Sequence, residues 1–242
     1  MRFLLLATDY DGTLAADGNV TDRTLAAIDR LRASGRKIML VTGRHLPDLC
    51  EIFPRLEKFD RVIVENGGVL YRPDTREQEL LCEPVSERLV DLLTERKIPF
   101  AVGRTIVATW RPHEAAVLAA IRDLGLDLQV IFNKGSVMVL PSGVNKGTAL
   151  KAALDELGIS VDRVVSVGDA ENDLPFLRMS GCSVAVANAI PSVKEQCDIV
   201  LDTARGEGVT DLINQLLSDD LAQFDSKLLR PPITPDHCDA GT

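Results

Sequence analysis

The sequence is short of basic charge. It carries 27 lysines and arginines against 36 aspartates and glutamates, a formal net charge of −9. A broad nucleic-acid footprint needs clustered Lys and Arg, so that class of partner is excluded, and docking on an anionic membrane surface with it. An anionic ligand stays possible where a metal and a few local cations outweigh the overall field. Long apolar runs are also missing. No stretch approaches the ~18 uninterrupted apolar residues that a membrane helix needs. The apolar start, 1–7, is too short for a secretory leader and runs straight into Asp9 and Asp11; it reads as a buried first strand. The five cysteines (Cys50, Cys82, Cys182, Cys197 and Cys238) are odd in number, widely spaced and form no C-x-x-C pair. That is the pattern of reduced thiols in a cytoplasmic protein. His45, His113 and His237 show no metal-ligand spacing.

What is present is ordinary globular composition, 45% hydrophobic and 26% charged over 242 residues. The length suits one large domain, or a medium domain carrying a smaller one. Apolar strand-like runs at 2–7, 37–41, 61–64, 163–167, 183–187 and 198–201 alternate with helical patterns at 21–34, 46–58, 146–157, 173–179 and 209–217. In the first helix Leu25, Ile28 and Leu31 share a face and Gly35 is the stop. Near-continuous apolar strands alternating with helices predict an α/β fold, a Rossmann-like doubly wound parallel sheet covered on both faces. Ligands of such sheets sit beyond the carboxyl ends of the strands.

Residues 82–144 break that rhythm. They read as helix 86–96, strands 100–103 and 106–110, helix 114–124, and strands 128–132 and 136–140, the last two joined by an Asn133-Lys134-Gly135 turn. Two helix-strand-strand units predict a small antiparallel sheet with helices on one face. The expected organisation is a catalytic core from 1–81 and 145–217, an inserted small α+β cap at 82–144, and a tail or linker at 218–242 containing Pro231, Pro232 and Pro235.

Four strand ends carry chemistry. Asp9-Tyr10-Asp11-Gly12-Thr13 follows the first strand. Two residues apart on an extended chain, its carboxylates point to one side, and repulsion between them is relieved by a shared cation. Thr42-Gly43-Arg44 ends the second strand with a hydroxyl and free amides, an anion cradle. Lys146 opens a helix, where the dipole disfavours a cation, so that another interaction must offset it. Gly168-Asp169-Ala170-Glu171-Asn172-Asp173 gathers hard oxygen donors of the kind magnesium takes. Each feature alone has an ordinary reading: a polar turn, a solvated lysine, a helix cap. Together they supply a nucleophile, a hydroxyl, a lysine and metal acids.

With D-x-D-G-T, the Thr of V-T-G-R, the isolated Lys146 and G-D-x-x-N-D in this order, the chain resembles the haloacid dehalogenase superfamily of phosphohydrolases over about 1–217. The insert between the second and third motifs, preceded by Glu65-Asn66-Gly67-Gly68, is similar to the Cof-like, small-cap branch. The resemblance implies a magnesium-dependent (Mg2+) phosphatase of small phosphomonoesters, such as a sugar phosphate or phosphoglycolate, working through an aspartyl-phosphate. Asp9 would be the nucleophile and Asp11 the acid–base. Thr42, Gly43, Arg44 and Lys146 would bind phosphate, and Asp9, Asp11, Asp169, Asn172 and Asp173 would hold the metal. The metal and Lys146 are expected to keep the pKa of Asp9 low. Arg104, His113 and Lys134 are candidates to meet a substrate from the cap. A phosphomutase of the same superfamily is the alternative enzyme. A phospho-aspartate signalling module is the non-enzymatic one, though such receivers are about half as long and lack an insert. The physiological substrate and the oligomeric state are not specified by the sequence.

Overall fold

The computed structural model describes residues 1–133 and 135–224. Its strands are β1 (Leu5–Thr8), β2 (Lys37–Val41), β3 (Arg61–Val64), β4 (Val69–Arg72), β5 (Glu77–Leu80), β6 (Ala101–Val102), β7 (Val107–Trp110), β8 (Leu128–Asn133), β9 (Ser136–Pro141), β10 (Val164–Gly168), β11 (Cys182–Ala185) and β12 (Ile199–Val200). The α-helices are α1 (Asp22–Ala33), α2 (Leu46–Ile52), α3 (Glu87–Glu95), α4 (Glu114–Leu124), α5 (Lys146–Leu157), α6 (Leu174–Met179), α7 (Pro191–Lys194) and α8 (Arg205–Asp219).

The larger sheet has the order β12-β11-β10-β1-β2-β3-β4-β5. From β12 to β3 it is parallel. The four residues of β1 are all buried, as expected of a strand covered on both faces. Chain order reverses at β1, which is flanked by β2 on one side and β10 on the other. That reversal is the switch point beyond whose carboxyl edge ligands bind. The predicted first helix is α1, with the Thr21 hydroxyl accepting from the Thr24 amide as N-cap and Leu25, Ile28 and Leu31 buried.

Three expectations need correction. The sheet is not parallel throughout, because β4 and β5 add an antiparallel hairpin at its edge. Its outer strand, Glu-Gln-Glu-Leu, has three exposed polar residues and no apolar period. It is held by charge instead: Arg72 binds Glu79 at 2.5 Å and Glu156 at 2.9 Å. The helix expected over 46–58 stops at Ile52, since Pro54 cannot continue it, and resumes only as one tight turn at Leu56–Lys58. The last helix begins at Arg205, not 209, and runs to Asp219. Gly206 hid its start. A Cβ there would lie 2.7 Å from the Leu14 carbonyl oxygen, so a poor helix former is required by close packing. Asp220 then caps the helix in the left-handed region at φ 58°. It accepts hydrogen bonds from the Arg2 amide, the Phe3 amide and Arg36, tying this end to β1. Pro231, Pro232, Pro235, Cys238 and His237 of the expected tail lie outside the described residues, as does Lys134.

The second sheet, β6-β7-β9-β8, is antiparallel throughout. Leu89 and Leu93 of α3 and Val117 and Ile121 of α4 pack on Val107 and Val139 of one sheet face. The fold is therefore the predicted one, a doubly wound α/β core carrying an inserted α+β unit. The opposite sheet face presents Ile106, Met138 and Leu140, with Ala108 and Ile131 beside them. Ile106, Ala108 and Met138 line a cavity whose other wall is the carboxyl edge of the larger sheet.

Candidate active site

Asp9 is the first residue beyond β1. Its amide donates to the Val167 carbonyl at 3.0 Å, extending the β1–β10 pairing by one step. This fixes the carboxylate at the floor of the cavity, 5% exposed. Lys146, the first residue of α5, is fully buried. Its Nζ stands 2.6 Å from Asp9 Oδ1 and 2.6 Å from Asp173 Oδ1. The Asn145 side chain accepts from the amides of Gly147 and Thr148 and caps the helix. The two carboxylates supply what the helix dipole denies a cation there. Asp173 Oδ2 accepts from the amides of Asp169 (2.9 Å) and Ala170 (3.0 Å), folding the loop after β10 back on itself. Asp169 is 1% exposed and receives the Thr13 hydroxyl and the Asn188 amide group, both at 3.4 Å.

Asp9, Asp169 and Asp173 each offer a carboxylate oxygen within 4.8 Å of the others. Three carboxylates against one ammonium leave two negative charges in excess. The effect falls on Asp9. Burial, then Asp173, push its carboxyl up to about 7, with Asp169 adding to this and Lys146 opposing it. The expectation joins Lys146 with a metal; Lys146 alone is outweighed by burial and Asp173. Burial works against the charge on Lys146 too, but Asp173 and Asp9 outweigh it and raise the ammonium above the usual lysine range. The Asn172 Oδ1 acceptor is also buried without a hydrogen-bond partner. An excess of two negative charges, hard oxygen donors and an unfilled acceptor at the cavity wall fit a divalent cation.

Asp11 lines the same cavity from a more open position, its side chain 43% exposed. Arg44 grips it with two donors, Nε to Oδ2 at 2.7 Å and Nη2 to Oδ1 at 2.8 Å, and gives Nη1 to Asp48 at 2.7 Å. Bidentate geometry of this kind fixes a carboxylate in orientation. Thr42, fully buried at the end of β2, accepts at its hydroxyl from the Arg44 amide at 3.2 Å. Gly43 and Arg44 line the cavity above it. The cavity, about 410 Å3, is closed on the insert side by Ala101, Gly103, Ile106, Ala108, Asn133, Ser136 and Met138.

Three comparisons bear on this site. A family model described as haloacid dehalogenase-like hydrolase matches residues 6–109 and 117–213. The chain belongs to that family. Its class is that of the phosphoric monoester hydrolases. A phosphoglycolate phosphatase of Methanothermobacter thermautotrophicus is 32% identical over 226 residues, covering 88% of this chain and 98% of the relative. A phosphoglycolate phosphatase 2 of Saccharolobus solfataricus is 29% identical over 223 residues, covering 89% and 93%. Among solved structures, a HAD/COF-like hydrolase of Plasmodium vivax superposes with a TM-score of 0.75 at 22% identity, over 89% of this chain and 96% of that one.

All the residues singled out in the core of this haloacid dehalogenase-like chain meet at one edge of the sheet. Of the insert's three candidates, Arg104 and His113 do not line the cavity, and Lys134 lies outside the described residues. The wall that faces the site is mixed instead, apolar at Ala101, Ile106, Ala108 and Met138 and polar at Asn133 and Ser136. His45 and Asp48, passed over in the sequence, both line the cavity. The Pro after Leu46 marks a helix start, and His45 with Asp48 spans its first turn: the Asp48 amide donates to His45 Nδ1 at 3.3 Å. Among the described residues no helix is long and apolar enough to cross a membrane.

Proposed function

We propose that this chain is a magnesium-dependent phosphatase of a compact phosphomonoester, with phosphoglycolate the first candidate, and that it works through an aspartyl-phosphate. The observation that carries the reading is the Asp9–Lys146–Asp173 cluster, whose Asp9 lines a cavity of about 410 Å3. Asp9 attacks phosphorus in line and takes the phosphoryl group. Lys146 stands where it balances the charge gathering on the phosphoryl oxygens. Thr42 is bonded as an acceptor by the Arg44 amide, so its own proton is left to donate to a phosphoryl oxygen. Asp11, oriented by Arg44, protonates the departing alkoxide and later takes a proton from the water that hydrolyses the intermediate. Such acid–base help is worth about 10²–10⁴ in rate. Asp9, Asp169, Asn172 and the main-chain oxygen of Asp11 would hold magnesium. Asp173 would add its charge and keep both Lys146 and the 169–170 loop in place. Bound magnesium would neutralise phosphoryl charge as the bond to the leaving group breaks.

Residues 82–144 act as the cap that walls the cavity and limits substrate size. The substrate class rests on the cavity's volume and the names of the relatives. The test is phosphate release from phosphoglycolate, sugar phosphates and p-nitrophenyl phosphate, with magnesium and with chelator. We expect release from phosphoglycolate that chelator abolishes and Asp9→Asn removes. Turnover undiminished in chelator refutes the metal assignment. Transfer of phosphate to a second sugar in place of release supports the phosphomutase alternative. A labelled protein that persists with no phosphate released supports the signalling one.

A further inference from the structure

Glu65 follows β3 and is only 2% exposed, yet it takes no part in the cluster around Asp9. A carboxylate at that depth needs its lone pairs filled. They are filled from the insert. Oε1 accepts from the Arg104 amide at 2.9 Å, and Oε2 accepts from the Thr105 amide and hydroxyl, each at 2.7 Å. The local chain is bent to allow this. Glu65 and Asn66 stand at φ 53° and 54°, in the left-handed region that residues with side chains adopt only where their surroundings enforce it. The space is cleared by two glycines. A Cβ on Gly103 would come 2.6 Å from Glu65 Cδ, and one on Gly68 would come 1.8 Å from the Thr105 hydroxyl.

The grip lies between the active site and the cavity wall. Gly103, next to the gripped amides, lines the cavity opposite Asp9 and Asp11. Asn66 accepts from Asn172 Nδ2 at 3.1 Å, and Asn172 lines the same cavity. One core loop thus holds the 103–105 turn of the insert with one residue and the loop after β10 with the next. We propose that Glu65 is a positioning residue for phosphoester hydrolysis: its carboxylate sets the insert's wall over Asp9 and Asp11 and keeps the cavity compact. The role rests on the phosphatase reading above.

The test is the ratio of kcat/KM for acetyl phosphate, a compact acyl phosphate, to that for p-nitrophenyl phosphate, a bulky ester. Loss of folded protein lowers both values together and leaves the ratio unmoved, so a merely structural role does not change it. Glu65→Gln keeps the size but turns an NH2 group toward donors. We expect its ratio to fall about five-fold or more, through a raised KM for acetyl phosphate with kcat little changed. Thr105→Val, which removes one donor, shifts the ratio the same way, and Thr105→Ser restores it. A ratio at the wild-type value in Glu65→Gln and Thr105→Val overturns the positioning role, and so does failure of both variants to fold. If the wild-type enzyme hydrolyses neither compound, the phosphatase reading falls and takes this role with it.

Discussion

Lys146→Met isolates the energetics of the catalytic cluster. The substitution keeps an unbranched apolar stem in a fully buried site and removes the ammonium lying 2.6 Å from both Asp9 and Asp173. Removing one partner of a buried ion pair strands the other charge, typically at about 3–5 kcal/mol. For a domain of this size about 2–4 °C is lost per kcal/mol, so the metal-free variant should melt about 6–20 °C below the wild type. Acidity supplies an internal check. Asp9 is a carboxylate pushed up, from an ordinary 3.8 to about 7. A raised carboxylate binds its proton more tightly when folded, so its contribution to stability declines as pH rises through that window. Wild-type protein in chelator should therefore lose this contribution between pH 4 and about 7. The loss should be larger in Lys146→Met and reach to higher pH, because removing the ammonium takes away what opposes burial and Asp173. Adding Asp173→Asn to Lys146→Met should recover part of the deficit, because it removes the second stranded charge. Magnesium should restore wild-type stability at neutral pH by about 2.7 kcal/mol at a hundred-fold excess over Kd. The assay is thermal unfolding followed by circular dichroism, in chelator and in magnesium, across that pH range. A metal-free Lys146→Met that melts with the wild type at pH 7.5 would refute the reasoning, since Asp9 and Asp173 would then be indifferent to the ammonium that both contact.

Asp9→Asn should leave no trappable phosphoenzyme from labelled acetyl phosphate in rapid quench, whereas Asp11→Asn should become labelled and release the label slowly; the opposite pattern would exchange their roles. Ala108→Phe on the insert's cavity face should lower kcat/KM for p-nitrophenyl phosphate more than for acetyl phosphate, because the space above Asp11 shrinks; equal losses would place selectivity in the core. Asp220→Ala should destabilise by about 1–3 kcal/mol, read as a denaturation midpoint, since it removes the acceptor of the Arg2 and Phe3 amides and one of the acceptors of Arg36. Although burial works against it, the Arg2 amide, Arg36 and the Phe3 amide hold the Asp220 carboxyl below the ordinary range. Its stabilisation is therefore complete above that range and lost as pH falls, and Asp220→Ala should narrow its gap to wild type in acid.

The core strands could be read from the sequence because both faces of each are covered. Ile38 to Val41 are all fully buried, which a run of apolar residues announces. The hairpin Val69–Arg72 and Glu77–Leu80 could not be read that way. It depends on Arg72 meeting Glu79 and Glu156, and the last of these is 84 residues away. Asp9, Lys146 and Asp169 were found because each stands at a strand or helix end with a residue type that serves no local purpose there. What Arg44 does was hidden, since its partners Asp11 and Asp48 are chosen by the turn of the backbone after β2. The donors to Glu65 were hidden for the same reason. Two of the three are main-chain amides 39 and 40 residues away, and amides carry no sequence signature; the third is the Thr105 hydroxyl.

The cluster's excess negative charge also explains why its members are so firmly held. Left free, three carboxylates this close would separate or take up a proton. Here each is tied by structure that serves the fold independently. The Asp9 amide continues the β1–β10 ladder, Asp173 folds its own loop through two amides, and Lys146 is fixed by the capped start of α5. Relief by movement is therefore closed off. What remains is relief by charge, either a proton on Asp9 or a cation among the carboxylates. A proton on Asp9 would disable it as a nucleophile, while a cation would leave it ionised and aimed at the cavity. On the proposed roles, the same packing would couple metal uptake to activation of Asp9. Lys146→Met in chelator measures the charge strain in the cluster that such coupling would draw on, before any substrate is added.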